Sequence, residues 1–261
     1  MRRLCLAFVM AGITFNAHAV GHLADVSIID RMSGNQIPVH FFNGEYWVAG
    51  TPGARYAISI RNSRDERVLA VTAVDGVNAI SGDTASWDQT GYVFGPRQQY
   101  QIAGWRKSSS EVAAFEFTAI SNAYATRTGR PENVGVIGVA LFRERNPIMA
   151  ESEARASRLQ APVVPAPLPS AADSALAGAM RAGVPQSLGT GHGQLESSHV
   201  YDVDFERLHA TPDEVVHIRY DSLQNLVAMG VIRQPQQPLA TPNPFPDSPL
   251  ARYVPDPPNL R

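Results

Sequence analysis

Between residues 20 and 142 the hydrophobic positions fall in short runs, divided by glycine, asparagine, aspartate and a few prolines. Residues 24–30, 37–42, 45–48, 56–60, 68–74, 92–94, 100–103, 113–119 and 134–142 each read as a strand. The clearest is the alternation of Tyr56, Ile58 and Ile60 with Ala57 and Ser59. Turn chemistry separates them. Asn43-Gly44 and Asp75-Gly76 are dipeptides suited to the positive φ of a two-residue hairpin turn. Gly50-Thr51-Pro52-Gly53 and the polar residues 62–66 mark further breaks. Residues 134–142 (VGVIGVALF) do not alternate, which predicts a strand covered on both faces, with Gly135 and Gly138 marking close approach by neighbours. A phosphate loop there is disfavoured, because neither Lys-Ser/Thr nor a helical pattern follows. Strands at this density, with no alternation of strand and helix, predict a mainly β fold: an antiparallel β-sandwich of jelly-roll or immunoglobulin-like type.

Beyond Arg143 the pattern changes. Residues 149–160 are expected as a short charged helix with Glu151 and Arg155 paired at i,i+4, and the Ala-rich residues 171–182 as another. Between them the sequence APVVPAPLPS is a proline/alanine linker. A small C-terminal ββα unit is expected over residues 186–233, with strands at 199–205 and 214–220. A helix over 222–229 follows, capped by Asp221 and ended by Gly230. Such a unit is too small to be stable alone without metal or disulfide, so it is expected to dock on the sandwich as an appendage. Residues 234–261 hold nine prolines and are expected as a disordered or extended tail. The expected layout is therefore residues 1–19 leader, 20–145 sandwich, 146–185 linker, 186–233 ββα unit and 234–261 tail.

The first residues add a destination. Arg2 and Arg3 precede the apolar run LCLAFVMAGITF, and Ala17-His18-Ala19 is a small-x-small cleavage site. This order predicts a secretory signal peptide cut after Ala19, hence a periplasmic or secreted protein. The apolar run is too short for a membrane span, which needs about 20 residues. Cys5 stands at the start of that run rather than at its end, which excludes a lipoprotein signal. Cys5 is also the single cysteine, so the mature chain carries neither disulfide nor thiol nucleophile and depends on its core. The formal charge is −2 and turns more acidic once Arg2 and Arg3 leave, which is no footprint for nucleic acid. No later apolar run approaches membrane-spanning length, and Lys107 is the one lysine.

The blocks RYAISIRN, VLAVTAVDGVN, WDQTGYV, GWRKS and TGRPENVGVIGVALF resemble a group of exported proteobacterial proteins. GTGHG and YDSLQNLVAMGVI resemble a companion piece in some of its members. The resemblance implies export and a shared domain, and transfers no activity, ligand or catalytic residue.

Three clusters are candidates for chemistry. Asp75, Asn78, Asp83 and Asp88 crowd the stretch 75–91, and oxygen-rich loops of this kind hold Ca²⁺; the spacing of a known calcium loop is absent, and Asp and Asn are ordinary turn residues. Trp105, Arg106 and Lys107 set an aromatic ring beside two cations, a pairing able to stack on a sugar or hold an anionic partner. The competing role is a Trp that closes the end of the core beside solvated charges. Gly189-Thr190-Gly191-His192-Gly193 permits close backbone approach and offers His192 as base or ligand, or is a loop feeding a strand. His192, His199, His209 and His217 match no zinc spacing. Glu111, Glu116, Asp202, Asp204 and Glu206 include no pair marked out for glycoside hydrolysis, and neither G-x-S-x-G nor H-E-x-x-H occurs. The expected function is a non-catalytic exported binding or scaffolding protein of the cell envelope, with a protein or glycan partner and no cofactor, Ca²⁺ being the one metal worth testing. The alternative is an exported hydrolase of glycan or peptide with the Gly189–Gly193 stretch near its active site.

Overall fold

The computed structural model describes residues 19–145 and 187–233. The leader, the helices expected at 149–160 and 171–182, the proline/alanine linker and the C-terminal tail lie outside the described residues. Thirteen strands form two sheets. The first holds β1 (Ala24–Asp30), β4 (Arg55–Asn62), β8 (Gln99–Ile102), β9 (Gly104–Arg106), β10 (Glu111–Ala119) and β12 (Leu188–Ser197). The second holds β2 (Val39–Phe42), β3 (Glu45–Gly50), β5 (Val68–Val74), β6 (Val77–Asn78), β7 (Tyr92–Phe94), β11 (Val136–Arg143) and β13 (Glu214–Ser222). The expected hairpin turns form as the dipeptides require: Asn43 and Gly44 have φ of 50° and 83°, Asp75 and Gly76 of 53° and 72°.

The first sheet runs β1-β4-β10-β12, and β4 meets β10 only at Tyr56–Phe115 and Arg55–Glu116. Beyond that point the two diverge. β8 pairs with β4 and β9 with β10, so the bent segment 99–106 fills the fork. The second sheet runs β2-β3-β13-β11-β5, with β6 and β7 both on β5. Inward-facing residues of both sheets build one core. Tyr56 stacks on Phe117 at 4.3 Å between ring centroids, and Phe117 meets Tyr220 of the opposite sheet at 5.3 Å. The arrangement is a β-sandwich, as the strand pattern predicts. It is not wholly antiparallel, because β13 runs parallel to β3.

The C-terminal segment departs most from expectation. No separate ββα appendage forms. β12 pairs with β10 along its length in the first sheet, and β13 lies between β3 and β11 in the second. Residues 199–205, expected as a strand, are irregular, and GTGHG, expected as a loop, belongs to β12. The helix forms as α2 (Leu223–Ala228), but its cap is Ser222, whose hydroxyl accepts from Asn225 N–H. Asp221 instead accepts from Leu188 N–H, Ser222 N–H and the Asn225 amide, tying β12 to β13. Gly230 takes the left-handed conformation (φ 78°) expected of a helix terminator. No helix of the described residues is long and apolar enough to cross a membrane.

Candidate functional site

The four oxygen-bearing side chains of the 75–91 stretch do not converge. Asp75 is fully buried in the β5–β6 turn, and Asn78 caps its own loop, its amide oxygen accepting from Ile80 and Ser81 N–H. The Asn78 amide nitrogen donates to Gln89 and to Thr90 C=O. Asp83 and Asp88 are exposed, and Asp88 accepts from the Ser86 hydroxyl. Local turn bonds therefore occupy Asn78 and Asp88. Among the described residues no set of three or more His, Asp or Glu side chains gathers as metal ligands.

Asp75 belongs to a polar chain that crosses the core. Its Oδ1 accepts from Tyr220 O–H at 2.5 Å and from Gly135 N–H at 2.9 Å, and its Oδ2 accepts from Thr190 N–H at 2.8 Å. The Tyr220 proton is committed to Asp75, so the Thr190 hydroxyl donates to Tyr220 (2.7 Å), and Tyr56 donates to Thr190 (2.7 Å). Four elements are thereby linked: β4 and β12 of one sheet, β13 and the β5–β6 turn of the other. Burial raises the Asp75 carboxyl to about 6, against the lowering effect of its hydrogen bonds to Tyr220, Thr190 and Gly135. Burial, then the nearby Asp75 charge, raises the phenols of Tyr56 and Tyr220. The sequence gives no hint of this set, because its members lie far apart along the chain. With Asp75, Tyr56, Thr190 and Tyr220 all buried, it joins elements rather than facing a ligand.

GTGHG is explained by packing against its neighbours. A Cβ at Gly189 would lie 2.5 Å from Ala123 Cβ and 2.7 Å from Val134 Cγ1, and one at Gly193 would lie 2.8 Å from Ala114 C=O. Glycine lets β12 slide under the crossover that carries α1 (Tyr124–Arg127), while Thr190 points into the core. His192 is exposed on β12 with its ring 6.0 Å from that of Tyr124. His199 lies in the irregular segment, His209 sits 3.1 Å from Asp213, and His217 is exposed on β13. The four histidines are thus on four different parts of the surface.

Trp105 is 4% exposed, edge-on to Phe115 at 5.1 Å, so it closes the core and is no recognition platform. Lys107 is exposed. Arg106 lines a concave site. Its guanidinium donates to Ser198 C=O (2.6 Å) and Ser198 Oγ (3.1 Å), and stands 5.8 Å from the centre of the Tyr92 ring. Tyr100 shares the Ser198 hydroxyl at 3.0 Å. These bonds hold residues 198–203 as a strap, itself pinned by Ser198 N–H and Val200 N–H on Ser110 and Ser109 C=O. Between strap and sheet lies a cleft of about 400 Å³, lined by Tyr92, Phe94, Gln98, Tyr100, Arg106, His199 and Tyr201 among others. Burial raises the Tyr92 phenol, with Arg106 working against it. Aromatic walls with a few convergent donors suit an amphipathic ligand with apolar faces and hydroxyls. Sequence reasoning found Arg106 but missed Tyr92, Tyr100 and Tyr201, whose signal exists only once the strap is folded across the sheet. No family model, no curated protein and no solved structure matches the chain.

Proposed function

We propose that this is a non-catalytic exported binding protein of the cell envelope, and that the cleft under the 198–203 strap takes a glycan. The observation that carries the reading is the convergence of Tyr92, Tyr100 and Tyr201 with Arg106 and His199 on one concave surface. Tyrosine rings offer flat apolar contact for the C–H faces of a sugar, while phenols, Gln98 and His199 offer hydrogen bonds to its hydroxyls. The leader read from residues 1–19 supports the envelope as the place where such a ligand is met.

Calorimetric titration of residues 20–261 with soluble fragments of envelope glycans tests this. Saturable binding is expected with at least one fragment class, and Tyr201→Ala is expected to weaken it roughly tenfold, the effect of about 1.4 kcal/mol. Tyr201 is 88% exposed, so the variant leaves the core untouched. Absence of binding across the panel, or equal affinity in the variant, sinks the assignment.

A further inference from the structure

The outer face of the second sheet carries a second feature, independent of the strap cleft. β5 and β11 are apolar on both sides. Inward residues enter the main core, while Leu69, Val71, Ala140 and Phe142 form a separate apolar cluster on the outside. Among the described residues, chain covers one end of that cluster. Phe205 packs on it and Arg207 lies over the Phe142 ring at 4.3 Å. Arg207 is held there by donating to Trp87 C=O and Gln89 C=O. The other end is a groove of about 370 Å³ floored by Val71, Ala73, Gly138 and Ala140 and rimmed by Trp87 and Val215, which are 54% and 41% exposed. A Cβ at Gly138 would meet nothing within 4 Å. The covered end thus continues into an open one of the same chemistry.

We infer that this groove docks the protein's own C-terminal segment, residues 234–261, along the line begun by Phe205. A narrow apolar floor of small side chains beside a tryptophan wall matches a proline-rich strand, which presents apolar rings and loses little entropy when held extended. Residues 234–261 hold nine prolines, with Phe245 inside PNPFPDSP. Reach is sufficient. Ser222 lies five residues past His217 on β13, about 17 Å at strand rise. Phe245 is twelve residues past Arg233, about 37 Å if extended. The tail can therefore turn back from α2 and run along the sheet face.

The mature chain contains no cysteine, so Ser248→Cys in residues 20–261 gives a unique site for a nitroxide. In dilute protein the Trp87 indole and Gly138 amide NMR signals are expected to lose intensity severalfold against the reduced label. Adding Gly138→Leu, which fills the groove without touching the core, is expected to restore the Trp87 indole signal. Unbroadened Trp87 and Gly138 signals overturn the inference. So does broadening that survives Gly138→Leu, because the tail then passes by without seating. Equal broadening when labelled unenriched chains are mixed with unlabelled enriched ones assigns the groove to a second copy's tail and also overturns it.

Discussion

Asp75 illustrates how one residue ties a core together at an electrostatic cost. Its carboxyl titrates near 6 in the fold, above the 3.8 it has when exposed, because burial disfavours the charged form more than its hydrogen bonds favour it. A group with a raised folded value holds its proton more tightly folded than unfolded. Its contribution to stability is therefore best below about 3.8, declines as pH rises toward 6 and is at its worst above that. At about 1.4 kcal/mol per pH unit the full swing is about 3 kcal/mol. Asp213 has the opposite sign. Burial works against it, but the Arg143 N–H and guanidinium and His209 outweigh burial and hold its carboxyl low, so it adds stability as pH rises. The net profile mixes such terms, and the difference between wild type and Asp75→Asn isolates one. In urea unfolding from pH 4 to 7.5, wild type is expected to lose about 2.4 kcal/mol of that swing relative to the variant's own profile. The variant should still start roughly 1–3 kcal/mol less stable at pH 4, since its amide would turn a donor on either Thr190 N–H or the Tyr220–Gly135 pair of donors. Parallel profiles would show that Asp75 does not titrate in this range.

At the level of the element, two glycines of similar sequence context have opposite roles. Gly189 sits where a methyl would press on Ala123 and Val134, so Gly189→Ala is expected to cost about 1–3 kcal/mol through overpacking. Gly138 faces open space within a strand, so Gly138→Ala is expected to be neutral or to add up to about 0.5–1 kcal/mol. Thermal melts of the two single variants separate them; equal destabilisation would mean that β12 does not lie under the α1 crossover. The same contrast explains what the sequence could reveal. Strands β1, β5 and β7 are legible to the residue, because each is bounded by local turn signals and carries its own apolar period. β12 is illegible, since its glycines answer to Ala123, Val134 and Ala114, none of which is nearby in the chain. Residues 199–205 mislead for the complementary reason. They have the apolar spacing of a strand, yet Tyr201 and Val203 stay largely exposed along the cleft and the segment serves as a strap. Arg106 is found from sequence because two cations beside a tryptophan are unusual; the tyrosines that complete its cleft are ordinary core-and-edge residues until the strap brings them together.

The whole molecule depends on its C-terminal segment. β13 is an interior strand of the second sheet, so without it β3 and β11 have no partner between them, and Tyr220 leaves both the aromatic stack and the Asp75 chain. Leu188, Val216, Ile218, Tyr220 and Leu226 each bury a side chain in the fold. At about 1.5–3 kcal/mol apiece their loss equals the entire stability of a typical domain, about 5–15 kcal/mol. Residues 20–145 by themselves are therefore expected to lack a cooperative unfolding transition and to bind a hydrophobic dye through the opened core. Among the described residues, β12 and β13 join the rest through sheet pairing, apolar burial and buried polar contacts, all of which a separate peptide can supply. A peptide of residues 187–233 added in trans is expected to restore a single cooperative transition whose midpoint rises with peptide concentration, as binding to the folded form requires. A cooperative transition in residues 20–145 alone, unmoved by the peptide, would mean that the front half makes a self-sufficient sandwich and that β13 joins it at an edge instead of between β3 and β11.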